Sequence, residues 1–314
     1  MSGSLGRMRV RRIVDSAIVL NAIVILLGAV VRATGSGAGC GRSWPTCQGE
    51  VVPSLQGATA VEFTHRAVSG LALVAVAWMV VAVFRSTSKG SRARAGAVLV
   101  GGSIVVEALI GMVIVLAEWV ADDASVARTI SVPIHLVSTF VLLAGLVATR
   151  FLLTHPEPPT WRLPRGDRGW LFGVGAAMLL VAATGAVTAL ADTLFPKAFG
   201  LSTAVTAGEH FLTRLRIVHP IVAVLVGVAA AVYASGRMSV DDPARTPARI
   251  VTAGVGVQVL LGVLNVTLGT PLAVSLVHLF LADLLWMSWV WMALIVATTP
   301  ARNTGPLLGV PPIP

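Results

Sequence analysis

The 314-residue chain is 56% hydrophobic and only 12% charged, with a mean hydropathy of +0.87. A water-soluble domain needs far more charge than this to cover its surface, so the chain reads as an integral membrane protein. Its net charge of +9 fits anionic lipid and a basic inner face, and no basic residues are patterned for nucleic acid.

A hydrocarbon core of about 30 Å takes about 20 residues of helix to cross, and eight apolar runs qualify. The first, 14–33, follows Arg7, Arg9, Arg11 and Arg12 and ends in GAVVRAT. No small-residue cleavage pattern follows it, so it reads as a retained span. The loop after it, GSGAGCGRSWPTCQGE, holds the only two cysteines, Cys40 and Cys47. In an oxidising compartment this Gly- and Pro-containing loop lets them close as a disulfide, worth about 2–3 kcal/mol in chain entropy. Two free thiols are the alternative. Zinc would need further ligands that are missing here, and the C-x-x-C-H of covalent haem attachment is absent.

The second run, 67–84, is entered through VEFTHRAVSG, which sets Glu62, His65 and Arg66 on adjoining turns. Arg85, Lys89, Arg92 and Arg94 follow. The third, 95–117, encloses Glu107 and leads to EWVADDASVART, where Glu118, Asp122 and Asp123 outnumber Arg128. The fourth, 133–153, opens on PIHLVSTFVLLAG around His135 and is followed by Arg150, Arg162, Arg165 and Arg168. The fifth, 170–190, runs into GAVTALA. The sixth, 217–235, holds His219 and precedes Arg237, Arg245 and Arg249; the seventh, 249–268, holds Gln258, and the eighth, 272–297, holds His278 and Asp283. Basic residues on alternate loops predict a multi-pass protein of the cell membrane with both termini cytoplasmic and the cysteine loop outside.

Repetition organises these runs. FTHRAVSGLALVAVA around His65 aligns with RIVHPIVAVLVGVAA around His219, and PIHLVSTFVLLAG around His135 aligns with SLVHLFLADLLW around His278. GAVVRAT and GAVTALA give a third, weaker match. The expected fold is all-α: eight transmembrane helices in two tandem four-helix bundles with pseudo-two-fold symmetry, 1–160 and 161–314. One histidine at a helix end is more often a hydrogen-bonded structural residue than a ligand. Four at repeated positions toward the outer face argue for a shared partner, because such side chains at membrane depth are costly alone. Two imidazoles on facing helices satisfy the axial positions of a haem iron. His155 and His210 fall outside the pattern and read as solvated.

Glu62 precedes His65 by three residues and so shares its helix face; Arg216 holds the matching place before His219. An arginine there suits a haem propionate. A carboxylate can accept protons during oxidation of the porphyrin edge, or it can simply pair with Arg66 at i+4. Glu107 matches Gln258 in the repeat, and an interhelical hydrogen bond or haem-side contact is favoured for it over catalysis. Asp283 either pairs with a neighbouring helix or supports His278.

GAVVRATGSGAGCGRSWPTCQG followed by EFTHR resembles the haem A synthase family, with its V-R-x-T-G-S-G-x-G-C stretch, W-P-x-C ending and E-x-x-H-R motif, and the likeness covers nearly the whole chain. The resemblance implies a membrane oxidoreductase that converts a ring methyl of haem O to a formyl group, giving haem A for terminal cytochrome oxidase. It implies haem b as cofactor held by His219 and His278, haem O held by His65 and His135, Glu62 as the acid that the oxidation needs, and a bridged Cys40 and Cys47. Arg66 and Arg216 become candidate propionate contacts. The second outer loop, ADTLFPKAFGLSTAVTAGEHFLTRLR, departs from members that also bridge it, since it has no cysteine. Expected partners are membrane lipid, the farnesyltransferase that makes haem O, and an electron acceptor of unidentified kind. The rival class is a di-haem b electron-transfer subunit, which would more usually set its haems at different depths. A transporter with inverted repeats would have odd-numbered halves and helices broken at mid-membrane.

Overall fold

The computed structural model describes residues 2–155, 163, 165–196 and 210–299. Among them the regular structure is helical, apart from an isolated bridge between Cys47 and Glu50. Eight helical segments are long and apolar enough to cross a membrane. In chain order the helices are α1 Ser2–Ala33, α2 Gly57–Ser86, α3 Arg92–Leu116, α4 Val126–Thr154, α5 Arg165–Leu194, the short α6 Phe211–Leu215, α7 Val218–Ser235, α8 Arg245–Thr267 and α9 Leu272–Thr298. Arg162 and the boundary expected at 160/161 lie outside the described residues, as does much of the segment between α5 and α6.

Several helices outrun the apolar cores read from sequence. Helix α2 begins at Gly57, so Glu62, His65 and Arg66 belong to its first turns rather than to a loop before it. Helix α4 begins at Val126, where the Ser125 hydroxyl accepts the Arg128 N–H at 3.2 Å, and it runs on through Pro133. A proline costs an interior helix one backbone hydrogen bond, which the surrounding bundle tolerates. The sixth span breaks instead: α6 ends before Arg216 and α7 starts at Val218. Pro220 sits in the first turn of α7, where its missing N–H has no intrahelical role but its ring obstructs a continuous helix from upstream.

Helix α1 packs on α2 and α4, α2 on α3, and α3 on α4; α5 packs on α7 and α9, α7 on α8, and α8 on α9. Helices α1 and α4 meet α5 and α9 along a central seam. Leu142, Leu143 and Leu146 of α4 and Trp289 and Met292 of α9 are fully buried in the core. At the seam the Trp286 indole donates to the Phe140 carbonyl at 2.7 Å, with the two rings stacked at 6.0 Å. At the end of the bundle away from the cysteine loop, Asp167 of α5 accepts from the Tyr233 hydroxyl at 3.0 Å and pairs with Arg237. Arg150 pairs with Asp15 at 2.7 Å. The outward faces are apolar, with Leu71, Val74 and Trp78 of α2 and Leu260 and Val263 of α8 exposed. Such faces suit hydrocarbon, which asks for no polar cover.

Trp286→Phe keeps an aromatic ring at the seam and deletes its donor to Phe140. Loss of one buried hydrogen bond of this kind is expected to cost about 1 kcal/mol, read as a lower thermal midpoint in detergent with the helical content of the folded protein unchanged.

Candidate functional site

The loop between α1 and α2 folds onto the start of α2. Cys40 and Cys47 are joined in a disulfide and both are buried. Gly39 lies so close to α2 that a Cβ there would stand 2.4 Å from the Ala58 carbonyl carbon, which only glycine avoids. Glu62, 3% exposed, is the anchor. Its Oε2 accepts the Cys40 backbone N–H at 2.7 Å, and its Oε1 accepts from Arg66 Nη2 at 2.5 Å and Nε at 3.1 Å. Arg66 Nη1 donates in turn to the Ser43 and Thr46 carbonyls at 2.5 and 2.8 Å. A buried carboxylate is stable only when paired and hydrogen-bonded, and here that condition clamps the disulfide loop onto the helix. The i+4 pairing with Arg66 is therefore present. Of the five guanidinium N–H groups of Arg66, four point at protein acceptors among the described residues.

His65 of α2 and His135 of α4 lie near enough for a charge on one to be felt by the other, and His278 of α9 bears the same relation to His219 of α7. All four stand early in spans that start from the cysteine-loop side. Two of the rings rest against glycines in the repeated GAV stretches. A Cβ on Gly28 would meet His65 Cε1 at 3.2 Å, and one on Gly185 would meet His219 Cε1 at 3.0 Å. The weak match between GAVVRAT and GAVTALA thus has a physical cause, since each glycine makes room for an imidazole. His65 and His278 each keep a buried Nδ1 with no hydrogen-bond partner among the described residues, while His135 Nδ1 has a carboxylate beside it. His219 Nδ1 stands 3.3 Å from the Thr184 hydroxyl.

The repeated polar position on α3 and α8 reaches the histidine of the next helix in both halves. Glu107 Oε2 stands 3.0 Å from His135 Nδ1, and the carboxylate accepts from the Ser138 hydroxyl and, at 2.8 Å, from that of Thr139. Gln258 Nε2 donates to the His278 carbonyl at 2.9 Å. Asp283 is fully buried, and neither carboxylate oxygen has a hydrogen-bond partner among the described residues. Arg216 pairs with Asp192 at 2.8 Å and donates to the Ala191 and Phe195 carbonyls at the end of α5. A cation there also complements the negative end of the helix dipole. His155 is exposed, as expected; His210, expected to be solvated, instead caps α6, stacks on Phe195 and lies tilted against Phe211.

Two arginines went unnoticed as site residues. Arg32 Nη1 donates to the Ala189 carbonyl at 2.5 Å and the Thr193 hydroxyl at 2.6 Å, tying the end of α1 to α5. Arg128, 3% exposed, donates to the Ala121 and Asp123 carbonyls of the loop before α4. The arginine of VRATG was a visible signal for the first; nothing in the sequence distinguished Arg128 from a loop cation.

This donor set fits haem. Each half brings two imidazoles into one neighbourhood, glycines leave room beside His65 and His219, and the His65 and His278 Nδ1 atoms are not committed to protein hydrogen bonds. A haem iron asks for axial nitrogen ligands and a dry, helix-walled slot.

Valine at Gly185 or Gly28 must push the adjacent imidazole aside, at a cost of about 1–3 kcal/mol. With the pairs as haem ligands, Gly185→Val would weaken haem retention in the C-terminal half and Gly28→Val in the N-terminal half. Gly102→Val on α3, where a Cβ meets nothing within 4 Å, is the control. Absorbance spectra of the purified variants check this, and equal haem content in all three would refute the steric role.

Residues 11–290 match the cytochrome oxidase assembly protein family COX15-CtaA. A protohaem IX farnesyltransferase of Thermus thermophilus is 42% identical over 280 residues, 87% of this chain and 46% of that protein. A haem A synthase of Halalkalibacterium halodurans is 33% identical over 165 residues, 52% of this chain and 54% of that protein. A haem A synthase of Staphylococcus carnosus is 36% identical over 128 residues, 40% of this chain and 41% of that protein. The chain thus spans about half the length of these relatives or less. Its eight membrane-crossing helices and the family match over most of its length make it a multi-pass membrane protein of the COX15-CtaA cytochrome oxidase assembly family.

Proposed function

We propose that the chain is a haem A synthase, an oxidoreductase that converts a ring methyl of haem O to a formyl group for the assembly of a terminal cytochrome oxidase. The observation that carries this reading is the division of four imidazoles into two neighbouring pairs, one in each half, early in spans that start from the disulfide-loop side. The family match and the likeness to haem A synthases support the substrate. In this reading His219 and His278 hold a resident haem b, and His65 and His135 hold haem O. When bound, the haem groups supply the redox chemistry; the chain's residues bind, orient and manage protons. The helix neighbours support two tandem four-helix bundles related by a pseudo-two-fold axis at the seam, and the alternating basic loops support cytoplasmic termini and haem sites toward the outer face of the cell membrane.

Turning the methyl into a formyl group adds one oxygen atom and, with water as its source, releases four protons and passes four electrons to an acceptor. Glu62, one turn from His65 and held by Cys40 N–H and Arg66, is the carboxylate placed to take protons. Its clamp also holds the disulfide loop onto this end of the N-terminal half. Arg66 retains one N–H for a further acceptor such as a propionate, and Arg216 presents a second cation near the C-terminal pair. The Thermus relative is named for farnesylating protohaem and carries the matching region in less than half its length. That supports physical coupling between the enzyme that makes haem O and the one that consumes it. The electrons go to an acceptor of unidentified kind.

Pigment extraction from purified protein tests the reading: haem b with haem O or haem A is expected, whereas two equivalents of haem b would favour the di-haem electron carrier. His219→Ala and His278→Ala should each lose most of the low-spin b-type absorbance, and a normal spectrum in both would overturn the ligand assignment.

Glu62→Gln keeps size and most of the hydrogen bonding while removing the charge. Normal haem b, bound haem O and little or no haem A are expected from extracted pigments. Near-normal haem A would leave Glu62 only its structural role with Arg66.

A further inference from the structure

We propose that Glu107 is the positioning residue that sets the electron-donating strength of His135, and that it makes the N-terminal haem site lower in reduction potential than the C-terminal one. The inference rests on the reading that the histidine pairs ligate haem. An imidazole bound to iron through Nε2 presents its Nδ1–H to whatever stands behind it. A carboxylate in that place fixes the tautomer and ring orientation and makes the imidazole a stronger donor; a neutral acceptor does so less.

The two halves differ at this position. In the N-terminal half Glu107, 9% exposed, stands 3.0 Å from His135 Nδ1 and is further held by the Ser138 and Thr139 hydroxyls. Both hydroxyls also lie within reach of the His135 carbonyl, at 2.9 and 2.8 Å, so the network fixes the backbone of the ligand as well as its ring. In the C-terminal half the matching residue is Gln258, and the matching places for Ser138 and Thr139 are taken by Leu281 and Ala282. The Gln258 amide donates to the His278 carbonyl, while its own oxygen and His278 Nδ1 are both buried without partners among the described residues. That amide oxygen, when turned toward the ring, is still a neutral acceptor. An anionic, hydroxyl-supported network therefore backs one ligand and a neutral amide backs the other.

The difference falls where the chemistry separates the sites. A ligand with a carboxylate behind it pushes electron density onto iron and favours its oxidised form. That suits the site where haem O is to be oxidised. The neutral partner suits a resident haem that must accept electrons readily. A purely structural role for Glu107, stapling α3 to α4, would lower stability on substitution and leave the potential of a retained haem unmoved.

The experiment uses the full-length protein in detergent, with protohaem added until binding saturates. Midpoint potentials are read by spectroelectrochemical titration and axial ligation by electron paramagnetic resonance. In a His278→Ala background, which leaves the N-terminal pair intact, Glu107→Gln is expected to raise the midpoint potential, alter the low-spin resonance and weaken protohaem binding by roughly 10–100-fold. Glu107→Asp should restore part of each change. In the otherwise native chain Gln258→Glu is expected to lower the potential of the C-terminal haem. An unchanged potential and resonance in Glu107→Gln with haem retained would overturn the proposal. Should that variant hold no haem, an unchanged C-terminal potential in Gln258→Glu would overturn it instead. Failure of the parent reading looks different: the native protein would then give no low-spin, two-imidazole signal with protohaem at all.

Discussion

The structure is governed by the cost of placing polar groups among apolar helices. Hydrocarbon offers no hydrogen bonds, so each ionisable side chain at membrane depth must find its partner inside the protein. That requirement explains why Glu62 is bound to both Arg66 and the Cys40 N–H, why Glu107 collects Ser138, Thr139 and His135, and why Arg216 sits between Asp192 and the carbonyl end of α5. Packing alone would hold the helices together. The polar pairs decide which faces of those helices meet.

Seen this way the disulfide loop between α1 and α2 is part of the bundle. Its disulfide closes a small ring, but the ring is positioned by one ion pair on α2: Arg66 donates to the Ser43 and Thr46 carbonyls, and Glu62 accepts the Cys40 N–H. The carboxylate proposed to manage protons is thus also the anchor of the lid. One residue serving both roles couples closure of the site to the presence of its acid, and it keeps Glu62 in a fixed orientation relative to His65. Arg32 extends the same logic across the seam by binding the carbonyl of Ala189 on α5.

Asp283 stands apart. Its carboxyl group is fully enclosed and unpartnered among the described residues, one turn from the Trp286 that bridges the seam. Its counterpart in the other half is Phe140, so the repeat carries a polar group on one side of the seam and an aromatic ring on the other. The halves share a framework of histidines and glycines, and they differ in the charged residues laid upon it.

Much of this was legible in the sequence because it depends on composition and period. Eight apolar runs specify eight crossings, since length and hydropathy alone decide whether a helix can span. The repeated histidines and the cysteine spacing were equally open to view. Helix ends were not: the loop folding back on Glu62 and Arg66 let α2 start at Gly57, ten residues before its apolar core, and a hydroxyl cap let α4 run through Pro133. The role of Glu62 stayed divided in the sequence between proton acceptor and ion-pair partner, because spacing along one helix says nothing of the loop that returns to it. Likewise the glycines of GAVVRAT and GAVTALA were a faint repeat until the imidazoles were seen lying against them. The sequence determined which polar residues the membrane must accommodate; only the tertiary structure decided their partners, because those partners come from helices and loops far away in the chain.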